Sequence, residues 1–242
     1  MRERVPQLIG LTLLAVALFV GLLAVADGIR DRGKNDTISV TGSARHPIVS
    51  DYIVWDASVQ SQQATPSAAL TELDRWTGRT KSFLKESGAQ DSEVVFQPIF
   101  TETITGQSPD GRDNGQILGY RLTRSFEVRS PRVQEISALV EASSKLLSQG
   151  IPINAQPPQY IFTKLPSLRP QLLAEATRDA LKRAQILVQS TGAKLGKLRA
   201  VNVGVFQVTA PNSTDVSDYG IYDTSTLKKD VTAVVNVTFA LG

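Results

Sequence analysis

The sequence predicts an α+β fold in which helices pack on a mainly antiparallel sheet, and three patterns indicate it. Apolar residues at three- and four-residue steps within 168–198 are typical of a long helix, with Ala176, Ala180 and Ala184 on its inner face. Apolar and polar residues alternate in segments such as 231–241, which is typical of half-buried strands. The elements follow the order ββαββα and then βαββ, with strand pairs close enough along the chain to form hairpins.

The N-terminal part of the chain predicts a membrane segment ahead of the folded domain. Residues 1–7 are a short tail, and residues 8–26 are uncharged and strongly apolar. As a helix, 8–26 spans about 28 Å, close to the roughly 30 Å of a bilayer's hydrocarbon core. We therefore predict one transmembrane helix, with a cleaved signal peptide as the alternative because residues 24–26 read Ala-Val-Ala. Residues 27–36 are polar and predict a linker, so the folded domain is 37–242.

The distribution of charge settles neither the membrane orientation nor a charged partner. Arg2 and Arg4 precede the apolar segment, whereas Arg30, Arg32 and Lys34 follow it closely, so basic residues flank both ends. The formal net charge of +3 is too near balance to predict nucleic-acid binding. The sequence has no cysteine, which excludes disulfides, thiolate catalysis and cysteine-rich zinc sites.

Two alternating strands and a helix open the domain. The strands begin at Thr37 and are joined through 45–50. Thr65 and Pro66 begin the helix, because proline suits a first helical turn, where its missing N–H costs nothing. Gly88 ends the helix, since glycine readily takes the left-handed conformation of a C-terminal cap.

A predicted hairpin follows the first helix. Residues 93–104 and 117–129 are strand-like, and the turn-rich loop 106–115 between them predicts an exposed connection. Pro98 predicts that the first of these strands lies at a sheet edge or contains a bulge, because proline has no N–H to donate to a neighbouring strand. Its exposed edge, Val94–Phe100, is therefore a candidate subunit contact.

The rest of the domain is predicted to alternate helices with strands. A second helix starts at Pro131 and ends at Gly150, and a strand occupies 154–163. The long helix then has Pro170 in its first turn and Gly192 as its left-handed cap. The segments that follow are, in chain order, a strand at 198–209, a loop at 210–230 and the last strand at 231–241.

The loop 210–230 is the first candidate for contact with a partner protein. It is long and polar, and loops of this length are commonly functional or disordered. Tyr219 and Tyr222 are its candidate contact residues. A calcium site is the alternative, although the spacing of an EF-hand is missing. The aspartates that would supply it are Asp215, Asp218 and Asp223.

Basic side chains cluster on the outer face of the long helix and just beyond its end. They are Arg178, Lys182, Arg183, Lys194, Lys197 and Arg199. Glu175 and Asp179 lie among them, which favours a solvated face with intrahelical ion pairs. The alternative is a domain that binds a polyanion or anionic lipid, with Lys182 and Arg183 as its contact residues.

The sequence contains no convincing catalytic constellation. His46 is the only histidine, and its place beside Pro47 predicts a solvated loop residue. Ser82 and Lys85 match the Ser-x-x-Lys motif of penicillin-recognising enzymes, but the Ser-Asp-Asn and Lys-Thr-Gly tripeptides that accompany it are absent from the sequence. An envelope serine hydrolase using this pair is therefore an alternative, and we predict no catalytic residue, metal or cofactor.

Three stretches of the domain resemble the SIMPL-domain family. The matching residues are Ile38, Val40, Gly42, Asp51 and Val59 in the opening strands, Asp179, Ala180, Arg183, Ala184, Gly192, Leu195 and Gly196 at the exit of the long helix, and Val231, Ala233, Val235 and Val237 in the last strand. Ser50 stands where the family usually has a proline before the aspartate, which removes the rigid turn that the proline would provide.

The resemblance implies a cellular setting rather than a reaction. Members of the family are mostly exported bacterial proteins of unknown molecular function. Some are linked to envelope or oxidative-stress defence, and some form ring- or channel-like oligomers. We therefore predict a non-catalytic cell-envelope protein that oligomerises or binds an envelope partner, with no nucleic acid as partner. Its body is expected in the periplasm, anchored to the inner membrane by 8–26 or free if that segment is cleaved.

Overall fold

The structure is a computed structural model that describes residues 18–22, 36–108 and 111–242. The elements of the domain are, in chain order, β1 Thr37–Val49, β2 Tyr52–Gln63, α1 Pro66–Glu86, a 3-10 turn Asp91–Glu93, β3 Val94–Gln107, β4 Asp113–Ser130, α2 Val133–Ala142, α3 Ser144–Ser148, β5 Ile153–Ala155, β6 Gln159–Ile161, α4 Leu165–Thr191, β7 Leu195–Val203, β8 Gln207–Thr209 and β9 Lys228–Leu241.

These strands form two antiparallel sheets with helices packed on them, which confirms the α+β class. The first sheet has the order β1-β9-β7, and β8 also pairs with β9. The second sheet has the order β3-β4-β2-β5, and β6 also pairs with β2. Every strand pair is antiparallel. The prediction of one sheet was therefore too simple.

The predicted hairpin of the first two strands is wrong, because β1 and β2 belong to different sheets. β1 pairs along its whole length with β9, and β2 pairs with β4. Between them the N–H of Ser50 donates to Leu227 O across 2.9 Å, and the N–H of Asp51 donates to Ile161 O across 3.0 Å. These two hydrogen bonds hold the short connection between the sheets, because β1 and β2 do not pair with each other.

The first sheet is covered on one face by α4. The strand β9 alternates as predicted, with every second residue from Val231 to Phe239 buried. α4 packs mainly against β1 and β9. Their shared cluster consists of Val40, Ala176, Ala180, Ala184, Val235, Val237 and Phe239. The small alanines allow the helix backbone to lie very close to the sheet.

The predicted start of α4, at 168, was three residues late. The helix begins at Leu165 with Pro166 in its first turn, and Pro170 lies inside the helix. The C-terminal prediction is confirmed, because Gly192 takes φ +75° at the cap. Leu187 follows the same three- and four-residue spacing as the inner-face alanines, but it is about half exposed.

The second sheet forms its own core beneath α1 and α2. α1 has the predicted bounds, with the Thr65 hydroxyl accepting a hydrogen bond from Ala68 N and Gly88 at φ +96°. Trp55 and Phe126 meet edge-to-face at 5.5 Å in the centre of this core. The helix expected between Pro131 and Gly150 is divided into α2 and α3.

Two predicted strands are also divided. The segment 154–163 forms β5 and β6, both of which pair with β2, and the segment 198–209 forms β7 and β8 with a break at 204–206. By contrast, β3 and β4 form the predicted hairpin, and the register shift beside Pro98 confirms the predicted bulge.

Of the predicted membrane segment 8–26, the structure describes only 18–22, which are helical with exposed side chains. The rest of that prediction, and the linker 27–35, lie outside the described residues. Within the described residues, no helix has both the length and the apolar character needed to cross a bilayer.

Candidate functional site

The strand β7 presents the most exposed apolar edge of the first sheet. It lies at the end of the strand order, with β9 on its inner side and no further strand paired beyond it in the described chain. Leu198 and Val203 are each 54% exposed, and Val201 and Val205 are about two-fifths exposed. α4 packs mainly on β1 and β9 and contacts β7 only slightly, so all of β7 after Leu195 is exposed.

The loop 210–227 is ordered by hydrogen bonds to both sheets. The N–H of Val208 in β8 donates to Ile221 O, and the N–H of Tyr160 in β6 donates to Thr224 O. The Tyr222 hydroxyl accepts from the N–H of Phe162 and donates to its carbonyl, each across 3.0 Å. Tyr222 therefore links the loop to the segment before α4, whereas Tyr219 is 98% exposed.

A buried ion pair fixes the base of the same loop. The Lys229 ammonium is buried, donates to Thr226 O and lies 3.6 Å from Asp223 Oδ2. Burial alone would raise the pKa of Asp223, but hydrogen bonds from Ser225 and Thr226, helped by Lys229, lower it to about 2. Burial lowers the pKa of Lys229, and the Asp223 carboxylate opposes that shift. The pair is a structural clamp for the segment 223–229.

The predicted calcium ligands are not gathered into one site. Asp223 bonds to its own loop, while Asp215 and Asp218 lie exposed nearer the tip. Within 18–22, 36–108 and 111–242, no group of three or more histidine, aspartate or glutamate side chains is placed to hold a metal ion.

The basic face of α4 is exposed, as predicted, but its second arginine is engaged. Arg183 Nε lies 2.8 Å from Asp179 Oδ2. The same Asp179 carboxylate accepts a hydrogen bond from Ser43 N across 2.9 Å. That N–H is the first cause of a lowered Asp179 pKa, with Arg183 and Lys182 adding to it. Arg183 thus supports a helix-to-sheet contact, and Lys182 remains solvated beside it.

The residues of the serine-hydrolase alternative line a cavity without forming a dyad. Ser82 and Lys85 lie on the last turns of α1, beside a cavity of about 370 Å³ between α1 and β3. No hydrogen bond joins Ser82 Oγ to Lys85 Nζ in the described part of the chain. His46 is a correction, because it is half-buried within β1, paired with Val231, rather than in a loop.

Two polar clusters were missed by the sequence analysis. Glu93 accepts hydrogen bonds from Ser130 Oγ at 2.6 Å, from Gln90 N at 2.9 Å and from the Arg132 guanidinium. Asp51 accepts from the N–H of Thr163 at 2.7 Å and from its hydroxyl at 3.0 Å. Apart from the local capping box of Gln90 and Glu93, no local pattern marks these contacts, because their members are far apart along the chain. The alternating Val201, Val203 and Val205 predict a strand, but the pattern does not show that the edge of β7 is exposed.

A comparison with protein families confirms the resemblance predicted from the sequence. A model of the SIMPL family, described as a protein of unknown function (DUF541), matches residues 38–239. No curated protein matches the chain. Among solved structures, the ligand-free regulatory subunit of aspartate kinase from Thermus thermophilus is 16% identical, covering 81% of this chain and 88% of that chain at a TM-score of 0.21. A likeness at that score carries no argument about fold or function.

Proposed function

We propose a function for this chain as what it is, a member of the SIMPL family of proteins of unknown function. The proposed function is that of a non-catalytic assembly module of the cell envelope. Its folded domain pairs with a second copy through β7, and the apolar segment 8–26 anchors it to the membrane with the domain outside the cytoplasm. Envelope stress defence is the setting that the family resemblance suggests. The observation that carries the assembly is the open, apolar edge of β7.

An exposed strand with apolar side chains is a template for pairing with another strand. Monomeric proteins usually blunt such edges with charges, prolines or bulges. In β7 the charged residues Lys197 and Arg199 lie in its first, irregular half, where the register against β9 shifts. From Ala200 to Val203 the register is regular and the residues are uncharged.

The sequence of β7 suits pairing with itself about a two-fold axis. Antiparallel pairing centred on Val201 places Ala200 opposite Asn202 and Arg199 opposite Val203. No like charges then face one another, and the two Val201 side chains meet on one face of the joined sheet. A two-fold contact of this kind closes after two copies, which limits the exposed edge to a dimer.

The alternative edge, Val94–Phe100 of β3, is less suited to strand pairing. It lies at the edge of the second sheet, as predicted, and Val95 and Phe100 are exposed. However, Pro98 lacks an N–H, and the register against β4 shifts between Phe96 and Ile99. A bulge in the middle of an edge interrupts the ladder that an added strand would form.

A single introduced thiol tests the β7 pairing, because the chain has no cysteine. Pairing about Val201 places the two Val201 Cβ atoms about 4.5–5.5 Å apart, close enough for a disulfide after small adjustment. We expect the full chain with Val201→Cys, in detergent micelles under mild oxidation, to form a covalent dimer. Its yield should not fall on dilution as long as the protein concentration keeps the chain dimeric.

The matched control is Val95→Cys, a similarly exposed valine on the β3 edge. It measures disulfide formation by random collision. Equal, concentration-dependent yields for the two variants would refute β7 pairing, and efficient crosslinking of the β3 variant alone would move the interface to the second sheet.

A further inference from the structure

A projecting acidic loop tip and a lysine-lined cavity complement each other in charge and in apolar character. We propose that the loop tip of one copy, residues 215–219, binds in the cavity beside Lys81 and Lys85 of a second copy. This contact goes beyond the proposed β7 dimer, because it uses no residue of β7. It gives the chain a second assembly surface, which adjoins the end of β7 because Asp215 and Asp218 line a cavity together with Val203.

The cavity lies where the end of α1 passes β3. Its volume of about 370 Å³ is within the range of pockets that hold a small ligand or a large side chain. Its floor is apolar, with Leu84 buried and Val94 and Phe96 partly buried. Lys81 and Lys85 stand at its margin, one helical turn apart, and Lys81 Nζ lies 4.9 Å from the centre of the Phe96 ring.

The two ammonium groups at this margin are not neutralised by a salt bridge. The ion pairs of the described residues include neither Lys81 nor Lys85. Asp91 lines the same cavity without pairing with either. Two cations above an apolar floor favour a guest with carboxylates at the rim and an aromatic or aliphatic group inside.

The loop tip has that chemistry. Among the large hydrophobic side chains of the described residues, Tyr219 and Val216 are the most exposed, at 98% and 82%. Exposed apolar groups of this size are typical of contact sites when polar residues surround them. Asp215 and Asp218 flank them, and neither carboxylate forms an ion pair within the described residues.

The tip is held in one shape before it meets a partner. The side chain of Gln207 in β8 donates from Nε2 to Ser217 O across 2.6 Å. Gly220 takes φ +86° and its N–H donates to Ser217 O across 3.1 Å. A tip that is already ordered loses little conformational entropy on binding, which favours its use as a contact.

The contact is heterologous, because each copy offers a tip and a cavity that are different surfaces. Tyr219 enters beside the Phe96 ring, where an edge-to-face aromatic pair is favourable, and Lys81 keeps its place over the ring. The Asp215 and Asp218 carboxylates then meet the lysines at the rim. Together with β7 pairing, such contacts extend assembly beyond a dimer.

Charge reversal tests the contact in a background that lacks the β7 dimer. The full chain carrying Val201→Lys, in detergent micelles, is expected to self-associate reversibly in sedimentation experiments. Adding Lys81→Glu and Lys85→Glu, or adding Asp215→Lys and Asp218→Lys, should each weaken this association at least about tenfold. An equimolar mixture of the two variants should restore it, because every Asp tip then finds a Lys cavity and every Lys tip finds a Glu cavity.

Each outcome decides the contact separately from the β7 dimer. A Val201→Lys chain that is monomeric at all concentrations, or association that survives either reversal, would overturn the tip-to-cavity contact. Failure of the mixture to restore association would also overturn the tip-to-cavity contact, and it would indicate that the tip binds another surface. The disulfide yield of Val201→Cys is expected to be unchanged by the reversals, so β7 pairing stands or falls on its own test.

Discussion

The carboxylate of Asp179 accepts the backbone N–H of Ser43 across 2.9 Å and so joins the middle of α4 to the outer edge of β1. Arg183 holds the same carboxylate from one turn further along the helix. Two residues of the family pattern thus satisfy a strand N–H that no neighbouring strand pairs, and they fasten the helix to the sheet.

Replacing Asp179 with alanine should therefore destabilise the first sheet. A hydrogen bond to a charged group contributes about 1.5–3 kcal/mol, and its loss leaves the Ser43 N–H to solvent. We expect Asp179→Ala to lower the free energy of unfolding in urea by about 2 kcal/mol. Glu141→Ala, which removes an exposed carboxylate that forms no ion pair within the described residues, is the control. Equal urea midpoints for the two variants would contradict the role of Asp179.

Gly42 allows the close approach of α4 to β1. A Cβ at this position would lie 2.2 Å from Ala176 O and 2.5 Å from Ala180 N, both backbone atoms. Gly42→Ala should force the helix away from the sheet and lower the free energy of unfolding by about 3 kcal/mol. Gly78→Ala is the control, because Gly78 lies in the interior of α1 with nothing within 4 Å of an added Cβ. That change should stabilise the protein by about 0.5–1 kcal/mol, and a similar gain from Gly42→Ala would refute the close contact.

The elements that were predictable have local causes. The caps of α1, the end of α4 at Gly192 and the alternation of β9 each depend on residues within a few positions of one another. The partition into two sheets was not predictable, because it depends on bonds such as Ser50 N to Leu227 O between residues far apart in sequence. The same holds for the candidate surfaces: the exposure of Tyr219 and of β7 depends on what the rest of the fold leaves uncovered.

The family pattern itself reports the fold more than a site. Gly42 and Asp179 build the contact of α4 with β1, and Asp51 fixes Thr163 just before α4 begins. The surfaces proposed for assembly, the edge of β7 and the tip 215–219, contain none of the residues that carry the resemblance beyond Leu195 and Gly196 at the start of β7. A match to the pattern therefore predicts the architecture and does not identify the partner.

Glu93 should make stability depend on pH at the acid end. Burial alone would raise the pKa of its carboxyl, but hydrogen bonds from Arg132, Ser130 and Gln90 N lower it to about 2. Because the folded pKa lies below the unfolded one, the stabilisation is complete above about pH 4.5 and is lost as the pH falls toward 2. We expect the free energy of unfolding to fall more steeply across this range in the wild type than in Glu93→Gln.

The matched control for Glu93 is Glu141→Gln, an exposed carboxyl on α2. Urea unfolding at pH 7, 4 and 3 separates the two variants. Only the Glu93 variant should lose stability at pH 7 and show a smaller fall in the free energy of unfolding as the pH is lowered. Parallel pH profiles for the wild type and Glu93→Gln would show that the Arg132 contact does not hold the carboxylate charged.

Ser82 should not behave as an activated nucleophile. It lies on a regular helical turn of α1, and no hydrogen bond to Lys85 is present to draw a proton from its hydroxyl. We expect a serine-directed fluorophosphonate probe to leave the wild-type chain unlabelled, as it leaves Ser82→Ala. Labelling of the wild type that disappears in Ser82→Ala would restore the hydrolase alternative, and Lys85→Met would then show whether the amine is its base.

Ser50 lies in the connection between the two sheets, and its buried hydroxyl has no hydrogen-bond partner among the residues that the structure describes. Ser50→Ala should therefore be neutral or raise the free energy of unfolding by up to about 1 kcal/mol, because an unsatisfied buried group is removed. Ser50→Pro should instead destabilise the protein, since it deletes the N–H that donates to Leu227 O across 2.9 Å. Thermal unfolding of the two variants side by side is the measurement. A stabilised proline variant would mean that a rigid turn between the sheets contributes more to stability than the hydrogen bond from Ser50 N to Leu227 O.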